Sequence, residues 1–332
     1  MEAFLSSARL SKTSDPGAIE AAAQIIRRGG IVAFPTETVY GLGADACNPL
    51  AVARIFEVKA RPRIDPIIVH VADQETAGLY GVFSELAQVL AERFWPGPLT
   101  LILRKSALVP PIVTAGLETV AIRVPAHPAA LALIQAAGCG IAAPSANPFG
   151  YVSPTEAQHV AEQLSNRIDM ILDGGPSKIG VESTILSLVA DVPCVLRAGG
   201  TPIEELESVI GKLRIEIGSS SSPQAPGQLQ RHYATQTRME ILDELGDFDP
   251  NEKVGLLSLT LPTDTSGCAA VEILSASGDL REAAANLFRA LRRLDNLSLD
   301  RIVALPVPEE GLGVAIMDRL RRCSAHKWDL LV

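Results

Sequence analysis

The feature that most restricts what this chain can fold into is a break two thirds of the way along it. From Gly218 to Gly227 four consecutive serines, Pro223, Pro226 and the two glycines offer little that a helix or strand could pack, the composition of a linker rather than of a packed element. The chain is therefore expected to divide into a large unit over residues 1–212, a linker over 213–237 and a small unit over 238–332. A length of 332 residues fits two cores better than one.

Before the break, signals for helices and strands alternate. Asp15 reads as an N-cap with Pro16 at the first helical position, followed by apolar Ile19, Ala22, Ala23 and Ile26 and a stop at Gly29. A strand over Ile31 to Phe34 comes next. Helices are predicted from Pro49 to Lys59, from Ser84 to Phe94, and after Pro128, Pro154 and Pro202. Apolar runs at residues 67–71, 99–103, 119–124, 140–143, 168–172, 183–188 and 193–196 read as strands. The last two have no helix between them, which argues against a purely parallel sheet and for a mixed, twisted sheet flanked by helices. After the break, strands at 254–259, 271–274 and 302–305 surround helices at 280–294 and 312–323, the pattern of a smaller, Rossmann-like α/β unit.

Composition closes off several function classes. Hydrophobic residues form 47% of the chain and charged ones 20%, enough apolar surface for packed cores. No apolar run approaches the ~20 residues of a membrane-spanning helix. The first residues lack the features of a secretory signal, so a cytoplasmic location is expected. Cys47, Cys139, Cys194, Cys268 and Cys323 lie far apart, with no zinc-ligand spacing, and read as reduced thiols. A net charge of -9 weighs against coating nucleic acid, while leaving room for a local basic cleft.

The segment Pro35-Thr36-Glu37-Thr38-Val39-Tyr40-Gly41-Leu42-Gly43 gathers hydroxyls, a carboxylate and two glycines; it is either a strand-to-helix turn or a loop whose backbone meets a ligand. Lys59 and Arg61 close a predicted helix, where the helix dipole favours cations, and would equally suit a polyphosphate. His70 sits in an apolar strand, as core histidines do. Arg123 ends another strand and needs a carboxylate, a phosphate or water. Ser145 and Asn147 follow a strand, a common ligand position in α/β proteins, although an Asx turn explains Asn147 equally. Ser153-Pro154-Thr155-Glu156 reads as a capping box, whose helix N-terminus could also take an anion. General nucleotide, zinc-protease and hydrolase signatures are missing.

Taken in order, PTETVYGLG, KAR followed by PIIVHV, AIRVP, APSAN, SPTEA, GVESTI and LRAG resemble the YrdC-like family over roughly Ser14 to Lys212. APGQLQRHYA and GLGVAIMDRLRR resemble the longer threonylcarbamoyl-AMP synthases of bacteria and archaea, which carry an extra C-terminal domain. The resemblance implies an enzyme, a nucleotidyltransferase, with Lys59, Arg61, Ser145 and Asn147 as its signature set. It implies threonine against Thr38, His70, Arg123 and Ser183. ATP would meet Lys59, Arg61, Asp65, Thr119, Ser145, Asn147, Ser153 and Arg197, with Tyr233 and His232 reaching back over the nucleotide from a lid-like linker. Asp65 departs from the asparagine and Thr235 from the proline usual in the family.

The activity so implied joins L-threonine, bicarbonate and ATP into threonylcarbamoyl-AMP and pyrophosphate for tRNA modification. The amine forms a carbamate whose oxygen attacks the α-phosphorus, chemistry that needs no covalent nucleophile. Magnesium would ride on the ATP phosphates, with no metal site in the protein. A downstream tRNA threonylcarbamoyl transferase would take the product, with tRNA an indirect partner and no membrane involved. Lys59, read as an exposed cation, is expected to matter for turnover and not for folding. Two other readings stand beside this one. An RNA-binding module is disfavoured by the acidic total and an aromatic content of 4%. A carbamoyltransferase working through a carbamoyl adenylate would need further domains.

Overall fold

The computed structural model describes residues 8–229 and 233–325; His232 lies outside them, as do both chain ends. The large unit begins with strand β1 (Arg9–Lys12), helix α1 (Ala18–Arg27), strands β2 (Val32–Phe34) and β3 (Gly41–Asp45), and helix α2 (Pro49–Lys59). Strand β4 (Ile68–His70), helix α3 (Gln74–Tyr80), strand β5 (Gly81–Val82) and helix α4 (Glu85–Phe94) follow. Next come β6 (Leu99–Lys105), β7 (Thr119–Arg123), α5 (Pro128–Ala137), β8 (Ile141–Ala142), α6 (Ala157–Leu164) and β9 (Met170–Asp173). β10 (Thr184–Ser187), β11 (Cys194–Arg197), α7 (Ile203–Ile210) and β12 (Arg214–Ile215) complete it. Beyond residue 229 lie β13 (Arg238–Ile241), β14 (Val254–Ser258), β15 (Cys268–Ile273), α8 (Leu280–Asp295), β16 (Arg301–Ala304) and α9 (Gly313–Ser324).

The large sheet runs β1-β9-β2-β3-β8-β4-β7-β6-β10-β11-β12, with β5 on β6. It is mixed, as expected: β4 and β7 are parallel, β6 and β7 antiparallel, and β10 and β11, joined without a helix, antiparallel. The small sheet, β13-β16-β14-β15, is parallel throughout; α8 lies in the connection that brings the chain back to β16, the partner of both β13 and β14. No helix among the described residues is long and apolar enough to cross a membrane. All five cysteines are free thiols.

Helix α1 buries Ala22, Ala23 and Ile26 of the predicted stripe, with Ala18 where Ile19 was expected and Ile19 half-buried at its side, against Ala130, Leu133 and Ile134 of α5. Its start differs from the sequence reading. Gly17, in the left-handed conformation at φ 75°, is the N-cap, and Asp15 instead accepts the Lys12 backbone N–H at 2.9 Å. Helix α2 begins as expected: Asn48 accepts from the N–H groups of Leu50 and Ala51, with Pro49 in the first turn. The capping box before α6 does not form. Glu156 is the N-cap without a side-chain bond, and the Ser153 hydroxyl turns away to Glu182 at 2.6 Å.

The motif after β2 is not a strand-to-helix turn but the connection of a hairpin, since β3 pairs antiparallel with β2. Its Gly43 serves packing: a Cβ there would stand 2.6 Å from Ile141 Cγ2 and 2.7 Å from Phe34 Cε1. The linker reading also needs correction. Pro223, Ala225, Pro226, Gly227 and Gln228 are buried. Ala225 joins Ile68, Ile102, Ala121 and Ile185 in a small apolar cluster on the face of the large sheet, so this part of the linker is a strap laid across that face. A polar, proline-rich composition does not reveal that its few small apolar groups have somewhere to go.

The two units share one apolar core. Val39, Val181 and Ala198 of the large unit pack with Leu287, Phe288, Ile316 and Leu320 of α8 and α9. Contact is tight at Gly180, where φ is +77° and an added Cβ would lie 2.3 Å from the Ala284 carbonyl. Gly180 N–H donates to the Thr38 carbonyl at 3.1 Å, and Ile179 N–H to that of Glu37 at 2.8 Å. The same segment therefore touches α8 on one side and the β2–β3 connection on the other.

Candidate active site

At the edge of the strap's apolar cluster the side chains change character. His70 and Arg123 are register partners on parallel β4 and β7, two residues beyond the paired Ile68 and Ala121 and hence on the same face. Around them lies a small cavity of about 50 Å³. Its lining draws Thr36 and Thr38 from the β2–β3 connection, Ser145 from the exit of β8, Ser183 from the start of β10, Arg197 from the end of β11, and Pro226 from the strap. Arg61 and Glu182 complete its charged wall.

Each cation in this wall is buried, and each is held differently. Arg123 faces Glu37 at 2.6 Å, donates to the Thr38 hydroxyl at 2.9 Å and to the Gly97 carbonyl at 3.1 Å. The ion pair that the sequence left open is thus present, while the guanidinium also reaches the cavity. Arg61 pairs with Asp65 at 2.9 Å and donates to the Pro66 carbonyl at 2.7 Å. Asp65 lies behind Arg61, fully buried; burial pushes its carboxyl up, against the pull of Arg61, Lys59 and Arg197.

Lys59 and Arg197 have no carboxylate partner among the described residues. Lys59 is 2% exposed, which overturns its reading as a surface cation. Its ammonium donates to the Ser145 carbonyl at 2.6 Å and to that of Asn147. Burial first, and then the neighbouring Arg61, push it well below the ordinary lysine value. Arg197 donates to the Ser183 carbonyl through Nε at 3.1 Å and Nη2 at 2.9 Å, and to the Pro226 carbonyl of the strap at 3.2 Å. Carbonyl dipoles alone compensate a buried charge poorly, so these two cations mark where an anion would be most welcome.

The remaining predicted residues divide by position. His70 is buried beside Phe34, its ring edge-on at 6.1 Å, and burial with the Arg123 charge lowers its pKa to about 3, so it is neutral at pH 7. Ser183 bonds Thr100 at 2.7 Å. Asn147 is no Asx turn: its amide donates to the carbonyls of Pro148 and Tyr151 at 2.9 and 2.8 Å, while its Oδ1 has no hydrogen-bond partner among the described residues. Ser153 stands one step back from the cavity, on Glu182. Tyr233 is fully buried where the strap returns, stacked on Phe288 at 5.6 Å, with burial raising its phenol to about 12. Thr119 is half-buried at the far end of β7 from Arg123, outside the cavity lining.

Three residues of this site carry no role in the sequence reading. Glu37 is the partner of Arg123, inside the PTETVYGLG motif. Glu182 in GVESTI accepts Ser153 on one oxygen and Arg319 of α9 on the other at 3.0 Å. Burial raises the Glu182 carboxyl, but Arg319, Arg197 and Ser153 outweigh it and hold it below its ordinary value. A carboxylate set between Val181 and Ser183 in an otherwise apolar strand entry is the signal that could have found it. Arg319 offers no such signal, since GLGVAIMDRLRR looks like an ordinary amphipathic helix.

Known proteins share this sequence and fold. Residues 24–199 match the Sua5–YciO–YrdC family model, described as telomere recombination, and residues 201–325 match the threonylcarbamoyl-AMP synthase C-terminal domain. The threonylcarbamoyl-AMP synthase of Pyrococcus abyssi is 45% identical over 93% of this chain and 94% of its own. The enzyme of that name from Bacillus subtilis is 45% identical over 95% of both chains. Among solved structures, Pyrococcus abyssi Sua5 complexed with L-threonine superposes with a TM-score of 0.86, covering 92% of this chain and 94% of that one. Escherichia coli YciO, 25% identical, matches 60% of this chain with a TM-score of 0.51.

Proposed function

The chain belongs to the threonylcarbamoyl-AMP synthase family, and from that premise we propose that its cavity joins L-threonine, bicarbonate and ATP into threonylcarbamoyl-AMP and pyrophosphate. The observation that carries the reading is the convergence of Arg61, Arg123 and Arg197 on one cavity, with Lys59 held behind its wall on the Ser145 carbonyl, and with Arg197 and Lys59 lacking a carboxylate partner among the described residues. A triphosphate and an amino-acid carboxylate supply the missing negative charge.

Threonine lies against Thr38, His70, Arg123 and Ser183, its carboxylate on Arg123. Neutral His70 places no positive charge beside the amine, which attacks in its unprotonated form after giving its proton to water or bicarbonate. The amine attacks the carbon derived from bicarbonate, giving a carbamate and water. The carbamate oxygen then attacks the α-phosphorus of ATP, forming a P–O bond as the bond to pyrophosphate breaks. Lys59, Arg61 and Arg197 neutralise the charge gathering on the phosphates, with Ser145, Asn147 and Ser153 positioning them. Asp65 orients Arg61, Thr119 meets the distal part of the nucleotide, and Tyr233 closes over it from the strap. Among the described residues no three His, Cys, Asp or Glu side chains cluster as metal ligands, and Glu37 and Glu182 are each committed to an arginine. Magnesium therefore enters as part of MgATP, held by phosphates and water.

We divide the chain into a catalytic unit over 1–212, a linker and lid over 213–237, and a small C-terminal unit over 238–332. The adenylate passes in the cytoplasm to a tRNA threonylcarbamoyl transferase, so tRNA is an indirect partner. Pyrophosphate release is measured with ATP and magnesium while threonine and bicarbonate are omitted in turn, together with the mass of the adenylate. Release that needs both is expected; release independent of threonine sinks the proposal.

A further inference from the structure

One side chain of the small unit is bonded directly to the cavity wall. Arg319, on α9, is fully buried at the boundary of the two units. Its Nε and Nη2 both lie 3.0 Å from Glu182 Oε2, its Nη1 donates to the Ala198 carbonyl at 2.8 Å, and its guanidinium carbon stands 5.1 Å from the Tyr233 ring centre. Glu182 and Ala198 are the chain neighbours of Ser183 and Arg197, the two cavity residues that bond each other, with Arg197 Nη2 donating to the Ser183 hydroxyl at 3.1 Å. One planar fork thus spans the β10 entry and the β11 exit at once.

Adhesion between the units does not require this charge. The apolar core already crosses the boundary, and replacing a buried ion pair by well-packed apolar groups is commonly neutral or stabilising. A buried pair aimed at two cavity-forming segments calls for a geometric reason. We infer that Arg319 is a positioning residue for the adenylation site: by fixing Glu182 and Ala198 it sets the spacing of Ser183 and Arg197, so that the small unit completes the catalytic wall. The inference rests on the reaction proposed above.

The test uses the full-length protein with Arg319→Lys, which keeps the charge and loses the fork, with Glu182→Gln, which keeps the shape and loses the charge, and with both together. Melting temperature, and kcat and KM for threonine and ATP from pyrophosphate release, are read for each. Arg319→Lys is expected to lose about tenfold to a hundredfold in kcat and to raise the threonine KM, as sub-ångström misplacement of reacting groups does. The double variant should fall little further than the weaker single one, because both act through one wall. Wild-type kcat and KM per folded molecule in the variants, whatever happens to the melting temperature, would overturn the inference. Should Arg319→Lys fail to fold, Glu182→Gln, which leaves the Ala198 bond in place, decides alone. A wild-type protein without threonine-dependent release removes the adenylation reading and this inference together, whereas active wild type with undiminished variants removes only the inference.

Discussion

Arg293 of the small unit meets Glu272 at 2.6 Å with half its side chain in water, and Arg321 meets Glu309 with 54% of its side chain exposed. In the cavity of the large unit Arg61 and Asp65 pair at 3% and 0% exposure, and Arg123 and Glu37 at 3% and 8%. The ion pairs are alike in length and opposite in setting. On the surface, water serves each partner almost as well as the other does, so such pairs contribute about 0–1 kcal/mol. In the cavity, desolvation has already been incurred, and losing one partner strands the other. In these surface pairs charge serves solubility; in the cavity it is function held in place by the surrounding core.

The comparison breaks most visibly at Arg123. Arg123→Met should cost about 3–5 kcal/mol of unfolding free energy in urea melts, because Glu37 is left charged and unpaired, and should abolish threonine-dependent turnover. Adding Glu37→Gln should restore part of the stability and none of the activity. A cost below about 1 kcal/mol would mean that the cavity pair behaves like a surface pair.

Lys59 sharpens the contrast, having no carboxylate to strand. Lys59→Met should lower kcat/KM about 100-fold, roughly 3 kcal/mol of transition-state stabilisation, while unfolding free energy moves by only about 1 kcal/mol. Loss of stability matching the loss of rate would make Lys59 a structural residue.

His70 gives the pH dependence. Its folded pKa, about 3, lies below the ordinary 6.5, so the unfolded chain binds a proton that the folded one refuses. Stability is therefore complete above pH 6.5 and declines as pH falls toward 3. Between pH 7 and 5 the decline from this residue amounts to about 2 kcal/mol. In His70→Gln that share should vanish, leaving a comparable contribution in this window from His159, whose pKa is lowered to about 4 chiefly by burial. Identical slopes for the two proteins would show that His70 is protonated in the folded state.

At the small end, Arg321→Ala should shift stability by no more than about 0.5 kcal/mol and leave kinetics unchanged, checked by melts at low and high salt.

The same division explains what could be read from the sequence. α2, with Pro49 at its start, and the α/β alternation of the small unit were legible because helix-start signals and apolar periods act within a few residues. Asp15 and Ser153 misled for the same local reason. Each has a good capping sequence, yet Gly17 captured the start of α1 and Glu182, 29 residues away from Ser153, captured its hydroxyl. The family motifs placed Lys59, Arg61, Arg123, Ser145 and Arg197 near one another, but not their partners. Burial of Lys59 is a property of three segments meeting, and Arg319 reaches Glu182 across 137 residues of chain. Such pairings leave no periodic trace.

Gly180 carries a consequence for how such a protein can change. With α8 pressing on one side of it and the backbone of Glu37 and Thr38 hydrogen-bonded on the other, any side chain there becomes a wedge whose displacement arrives at the threonine-side loop. The two units can therefore drift in sequence only as a matched set. A C-terminal unit transplanted from a relative would have to bring an α8 that seats against a residue with no side chain, or the graft would fold and its substrate pocket would be out of true.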